Sequence, residues 1–101
     1  MKKKIIRVDI DNTICQTDDR GYESSVPIYP IINKVNVLYE KGHTIIYWTA
    51  RGAVTGLDWR ELTEIQLKSW GCKYHELHLD KPFYDLFIED RSCLPIDVGK
   101  L

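Results

Sequence analysis

Four short apolar runs, residues 4–10, 43–49, 74–79 and 86–88, each lead into polar or charged residues, and helical spacing fills two of the gaps between them. This alternation constrains the fold more than any other feature. The runs are rich in β-branched and aromatic residues and read as short buried strands. After the first, Ile31, Val35, Leu38 and Tyr39 recur at helical spacing over residues 31–41, with Pro30 suited to a first helical position and Gly42 to the residue past the end. After the second, Thr55 followed three residues later by Asp58 has the pattern of an N-terminal cap, and Leu62, Ile65, Leu67 and Trp70 supply an apolar face that stops at Gly71. Strands alternating with helices predict an α/β fold with a mainly parallel sheet whose strand ends fall on one edge.

At 101 residues the chain has room for one core, so residues 1–101 are expected to form a single domain that carries its own site. Residues 14–29 hold Asp18, Asp19, Gly21, Ser24, Ser25 and Pro27, a turn-rich composition that predicts a small flap over the end of the first strand. Lys+Arg (14) nearly balance Asp+Glu (15), so no global field favours nucleic acid or an anionic membrane surface. Three cysteines, Cys15, Cys72 and Cys93, form no regular framework and point to reduced thiols in a cytoplasmic protein. The lysines at positions 2–4 are followed by an apolar run already broken by Arg7 and Asp9, so neither a signal region nor a membrane span is expected there.

Ligands of open parallel sheets bind outside the carboxyl ends of the strands, and each of the four runs delivers a polar group to that edge. Asp9 and Asp11 are two residues apart; if extended, they face the same side about 6.6 Å apart, from a rise of roughly 3.3 Å per residue. Carboxylate oxygens suit magnesium, which takes few protein ligands and keeps water and substrate phosphate in its other positions. Asp9, the carbonyl of Asp11 and Asp90 could form that partial shell. A carboxylate is ionised near neutral pH, so Asp9 can attack phosphorus without a base to activate it, leaving Asp11 to protonate the departing oxygen and then activate water. Thr49, the Ala50 N–H and Lys81 are suited to holding the charge of the transferring phosphoryl group.

These residues resemble the motifs of the haloacid dehalogenase superfamily. Asp9-Ile10-Asp11-Asn12-Thr13 looks like its first motif, Thr49 its second, Lys81-Pro82 its third and Glu89-Asp90 its fourth, in the expected order over nearly the whole chain. The resemblance implies a Rossmann-like three-layer α/β/α core and a magnesium-dependent phosphatase. It implies Asp9 as nucleophile, Asp11 as general acid/base, Thr13 as support for the loop, Thr49 and Lys81 on the phosphate, and Asp90 with Glu89 at the metal. Two positions depart from the family pattern: Glu89 stands where aspartate is common, and Asn12 where many members have glycine. Asp11 itself argues against dehalogenation, which in this family lacks an acid at that position. Most members carry a cap domain, and neither interval that accepts one has room here. The expectation is a small capless type with an open site, selective through its flap, Arg51, Trp59, Tyr84 or a second copy in a homo-oligomer.

The expected substrate is a phosphorylated small molecule such as a sugar phosphate. A polynucleotide phosphatase is the alternative enzyme, because residues 49–51 and 89–91 look similar to that branch, but no basic stripe is present to neutralise a nucleic-acid backbone. A non-catalytic binding module is the alternative of another class, and such a module has no need of a nucleophile paired with an acid. A calcium loop at Asp9 fails, since Ile14 and Arg20 stand where glycine and glutamate are required. Arg51, directly after Thr49, is suited to a second anionic group on the substrate. Cys72, His75 and His78 contain zinc-type donors, yet a strand splits them between two faces and supplies no fourth ligand. Of the tryptophans, Trp48 and Trp70 read as core, and Trp59 as a residue that faces substrate.

Overall fold

The computed structural model describes residues 2–101. Strand β1 (Ile5–Val8) leads into a hairpin of β2 (Cys15–Gln16) and β3 (Val26–Pro27), then helix α1 (Tyr29–Glu40), strand β4 (Thr44–Trp48), helix α2 (Arg60–Ser69) and strand β5 (Glu76–His78). The strands β1, β4 and β5 form one parallel sheet in the order β1-β4-β5, with Ile5 opposite Thr44 and Tyr47 opposite Leu77. The small antiparallel pair β2-β3 is the flap, joined by a 3-10 turn at Tyr22–Ser24. No helix among the described residues is long and apolar enough to cross a membrane.

Alternation decides which face of the sheet is buried. Val8, Ile45, Tyr47 and Leu77 point to one face and pack with Ile32, Val35 and Leu38 of α1 and Leu67 of α2. The other face carries Ile5, Arg7, Thr44, Ile46, Trp48, Glu76 and His78, of which Ile46 alone is buried. Both helices therefore cover the same side, and the described residues make two layers. The third layer implied by the resemblance is not formed within the chain.

Local signals place the helices well. Pro30 sits in the first turn of α1, and Gly42 follows it at φ +94°, a left-handed conformation that costs glycine little. The start of α2 differs from expectation. Thr55 Oγ1 accepts from the Leu57 N–H and Asp58 Oδ1 from the Arg60 N–H, so the two residues organise the loop before the helix, and Thr55 does not cap it. The inner face also differs: Ile65 is 58% exposed, whereas Thr63 and Gln66 are buried. Their burial is explained by a charged partner described below.

The fourth strand predicted at residues 86–88 does not form. Residues 82–94 are all exposed, and no backbone hydrogen bond ties 82–93 to the other described residues. The run has β-propensity without a neighbouring strand to accept its N–H and C=O groups, and propensity alone does not hold a strand in water. The chain then closes with a 3-10 segment, Pro95–Lys100, whose Val98 packs against the core beside α1.

Candidate active site

A cavity of about 610 Å³ opens at the carboxyl end of the sheet, lined by Asp9, Asp11, Thr49, Ala50, Arg51 and Lys81, with Tyr22, Trp59, Phe83 and Tyr84 among its walls. The first strand stops at Val8 and the chain turns at once, with the N–H groups of Thr13 and Ile14 both donating to the Ile10 carbonyl. Asp9 and Asp11 thus meet at the cavity through a turn, not through the strand alternation expected from sequence. Asn12 has φ +62° within that turn. Asparagine is one of the few side chains that enters the left-handed region readily, which suits it to this position of the turn. Its Oδ1 also accepts from the Thr17 N–H at 3.2 Å.

The two carboxylates have different surroundings. Asp9 is 37% exposed; Lys81 Nζ lies 3.4 Å from its Oδ1, and Thr13 Oγ1 donates to Oδ2 at 3.4 Å. Asp11 is clamped: Arg51 donates from Nε to Oδ2 at 3.0 Å and from Nη2 to Oδ1 at 2.9 Å, and Thr17 Oγ1 adds a bond of 2.6 Å to Oδ1. Lys81 is itself placed by aromatic rings, lying 5.5 Å from the centre of Trp48 and 5.3 Å from that of Tyr84.

Arg51 corrects a sequence expectation. Its side chain is fully buried and its other N–H groups go to Thr63 Oγ1, Gln66 Oε1 and Ser25 Oγ. A guanidinium has five N–H donors, and all are engaged within the chain, so none is left for a second anionic group on a substrate. Arg51 fixes the orientation of the Asp11 side chain. The polar inner face of α2 exists to satisfy it, because a buried guanidinium without acceptors is strongly unfavourable. Sequence carried a trace of this: Thr63 and Gln66 are three apart on a helix otherwise read as apolar inside.

The loop after β4 turns on Gly52, at φ +85°, where an added Cβ would stand 2.2 Å from the Leu57 carbonyl oxygen. This tight turn brings Trp59 back over the cavity, where it meets Tyr22 of the flap edge to face at 4.9 Å. Thr49 is buried; its Oγ1 accepts from the Arg51 N–H at 3.2 Å, which leaves its own proton free to donate, and the Ala50 N–H has no protein acceptor among the described residues. Trp59 and Tyr84 line the cavity as expected, whereas Trp48 is half-buried under Arg7 and Trp70 packs at the end of α2.

Glu89 and Asp90 lie elsewhere. Both are in the exposed segment and neither lines the cavity, so the structure does not bring them to Asp9 and Asp11 of the same chain. Among the described residues no group of three His, Cys, Asp or Glu side chains is poised around a metal. The physical reason is the missing strand, which was to carry Asp90 to the sheet edge. Cys72, His75 and His78 are dispersed: Cys72 packs on the core, His75 Nδ1 accepts from the Ile45 N–H and stacks on Tyr39, and His78 contacts Arg7 and Glu76.

No family model and no curated protein matches the chain. A crystal structure of a structural-genomics target from Vibrio cholerae shares the fold, with a TM-score of 0.87 and 22% identity over 99% of this chain and 89% of that one.

Proposed function

We propose that the chain is a phosphomonoester hydrolase working through an aspartyl phosphate on Asp9. The observation that carries this reading is the contrast between the carboxylates: Asp9 is open to the cavity beside Lys81, and Asp11 is held rigidly beside it. In this reading an Asp9 oxygen attacks phosphorus, the ester oxygen leaves and takes a proton from Asp11, and Asp11 then removes a proton from the water that cleaves the acyl phosphate. The Lys81 ammonium, the Thr49 hydroxyl and the Ala50 N–H hold phosphoryl oxygens that gain charge along the way.

The oxygen donors of Asp9 and Asp11 fit magnesium, which commonly binds through one or two carboxylates plus substrate phosphate. When bound it would supply charge neutralisation at the phosphoryl oxygens. The same reading takes the parallel sheet with its site at the carboxyl edge as a Rossmann-like, capless core. In this reading the flap and the aromatic walls of Tyr22, Trp59 and Tyr84 take over the work of a cap, and they fit a compact phosphorylated metabolite such as a sugar phosphate.

Phosphate release measured across sugar phosphates, nucleotides and 3′-phosphorylated oligonucleotides, with magnesium and with chelator, tests this. Release that needs magnesium and vanishes in Asp9→Asn supports the reading. Full activity in Asp9→Asn removes the nucleophile, and no release from any substrate by the native protein favours a binding module.

A further inference from the structure

Among the described residues, an apolar arm has only its own Tyr84 against Phe87, and a sheet edge has no strand paired to it. Leu86, Phe87 and Ile88 are 78%, 60% and 87% exposed within an exposed segment. Among the described residues strand β1 pairs on one side only, with β4. Because the Lys4 carbonyl is taken by the Thr44 N–H, the backbone groups of Ile5 and Arg7 face the opposite, open edge. Ile5 beside that edge is 74% exposed. Unpaired edges next to exposed β-forming segments are the usual requirements for strand exchange.

We propose that a second copy of this chain supplies the missing strand: residues 86–88 of one copy lie parallel to β1 of the other and deliver Asp90 to that copy's Asp9–Asp11 site. The delivery of Asp90 rests on the phosphohydrolase reading, whereas the strand exchange stands without it.

The connection decides between a second copy and the same chain. Lys81 is at the carboxyl end of the sheet, where its N–H donates to the Thr49 carbonyl. Only residues 82–85 separate it from Leu86, and a parallel neighbour needs a crossover of about a dozen residues back to the start of the sheet. Turned antiparallel, the same run would carry Asp90 to the wrong edge. A neighbouring molecule has no such constraint, and a two-fold axis lets each copy lend its arm to the other, doubling the buried area.

Register gives the pairing detail. If Asp90 stands opposite Asp9, Leu86 stands opposite Ile5, Phe87 opposite Ile6 and Ile88 opposite Arg7. Leu86 then covers Ile5 on the bare face of the sheet, and Phe87 joins half-buried Ile6 on the helix side. Three carboxylates then meet at the edge against two cations, Arg51 and Lys81, which leaves one negative charge uncompensated and oxygen donors free for a further cation. Magnesium should accordingly tighten the dimer.

Mass in solution and disulfide trapping test the exchange, and activity tests the delivered carboxylate. The native chain should have about twice the 11.8 kDa of one copy, dissociating about tenfold more readily in chelator than in magnesium. The double substitution Leu86→Asp and Ile88→Asp should give a folded monomer by circular dichroism, since both side chains are exposed in the single chain. Mixing an Ile5→Cys chain with a Leu86→Cys chain, both also Cys93→Ser, should yield a disulfide between chains. Asp9→Asn and Asp90→Asn proteins, inactive alone, should recover phosphate release when mixed, because one site per mixed dimer then holds both native residues.

A native monomer with or without magnesium overturns the exchange, as does a dimer that survives the aspartate pair. A disulfide forming within one chain that carries both Ile5→Cys and Leu86→Cys overturns it too, in favour of the strand folding back. Two inactive variants that stay inactive in a trapped mixed dimer overturn the delivery of Asp90. A monomer that releases phosphate sinks the exchange alone; a trapped dimer that releases none sinks the hydrolase reading alone.

Discussion

Arg51 holds Asp11 by a two-nitrogen fork although the two residues are 40 positions apart, and it is the one fully buried cation at the cavity. Removing one member of such a pair leaves the other charge without compensation. Arg51→Ala is expected to lower stability by about 3 kcal/mol in urea unfolding. Arg51→Lys keeps the charge and loses the fork, so on the proposed function kcat should fall about 100-fold with little change in KM, as for a misplaced acid/base. Equal loss in KM would mean that Arg51 touches substrate after all.

Gln66 joins the site to the flap. Its Oε1 accepts from Arg51 at 2.6 Å and its Nε2 donates to the Tyr22 carbonyl at 2.7 Å. Gln66→Leu removes both and leaves a buried guanidinium N–H unpaired, a loss of about 2 kcal/mol. Limited proteolysis should then cut the flap near Arg20 faster than in the native protein, and an unchanged rate would show that the hairpin is held by other contacts.

Tyr47 buries a hydroxyl whose one polar neighbour among the described residues is the Cys72 thiol, a weak partner that does not reach hydrogen-bond geometry. Its ring packs edge to face on Tyr74 at 5.6 Å, an interaction that phenylalanine preserves. Tyr47→Phe should therefore stabilise the chain by about 1 kcal/mol, or about 4 °C in Tm for a domain of this size. A fall in Tm would mean that the hydroxyl is satisfied, by the Cys72 thiol or by a bound water.

Burial pushes the Cys72 thiol up to about 11 and raises Cys15 as well, whereas Cys93 is exposed. At pH 8 a maleimide or disulfide reagent should modify Cys93 first. The link to stability has a definite sign: a thiol whose folded pKa lies above its ordinary value of 9.0 contributes fully below pH 9 and loses that contribution as pH rises toward 11. Burial raises Tyr47 and Tyr74 in the same direction. Stability should decline above pH 9, and Cys72→Ala should make the decline shallower; an equally steep decline would assign it to the tyrosines.

Much of the fold was legible because it depends on nearest neighbours along the chain. Pro30 and Gly42 bracket α1, and β-branched runs end at Asp9 and Thr49, where the strands do stop or nearly so. Residues 86–88 misled for the opposite reason: they have strand composition, and the structure gives them no adjacent strand. Thr63 and Gln66 were invisible as inner residues, since hydrophobic spacing assigns polar side chains to solvent unless a buried charge is known to need them.

By itself the sequence determined where helices and strands can form and that two carboxylates, a threonine and a lysine follow strand ends, because capping, turn chemistry and apolar spacing act over a few residues. Tertiary structure alone decided which cation serves which carboxylate. Arg51 turns inward to Asp11 and Lys81 reaches Asp9 because loops after different strands converge on one edge, and such pairing depends on distances in space that residue order does not encode. It also decided that Asp90 stands apart, since the run before it finds no strand in the described residues to pair with.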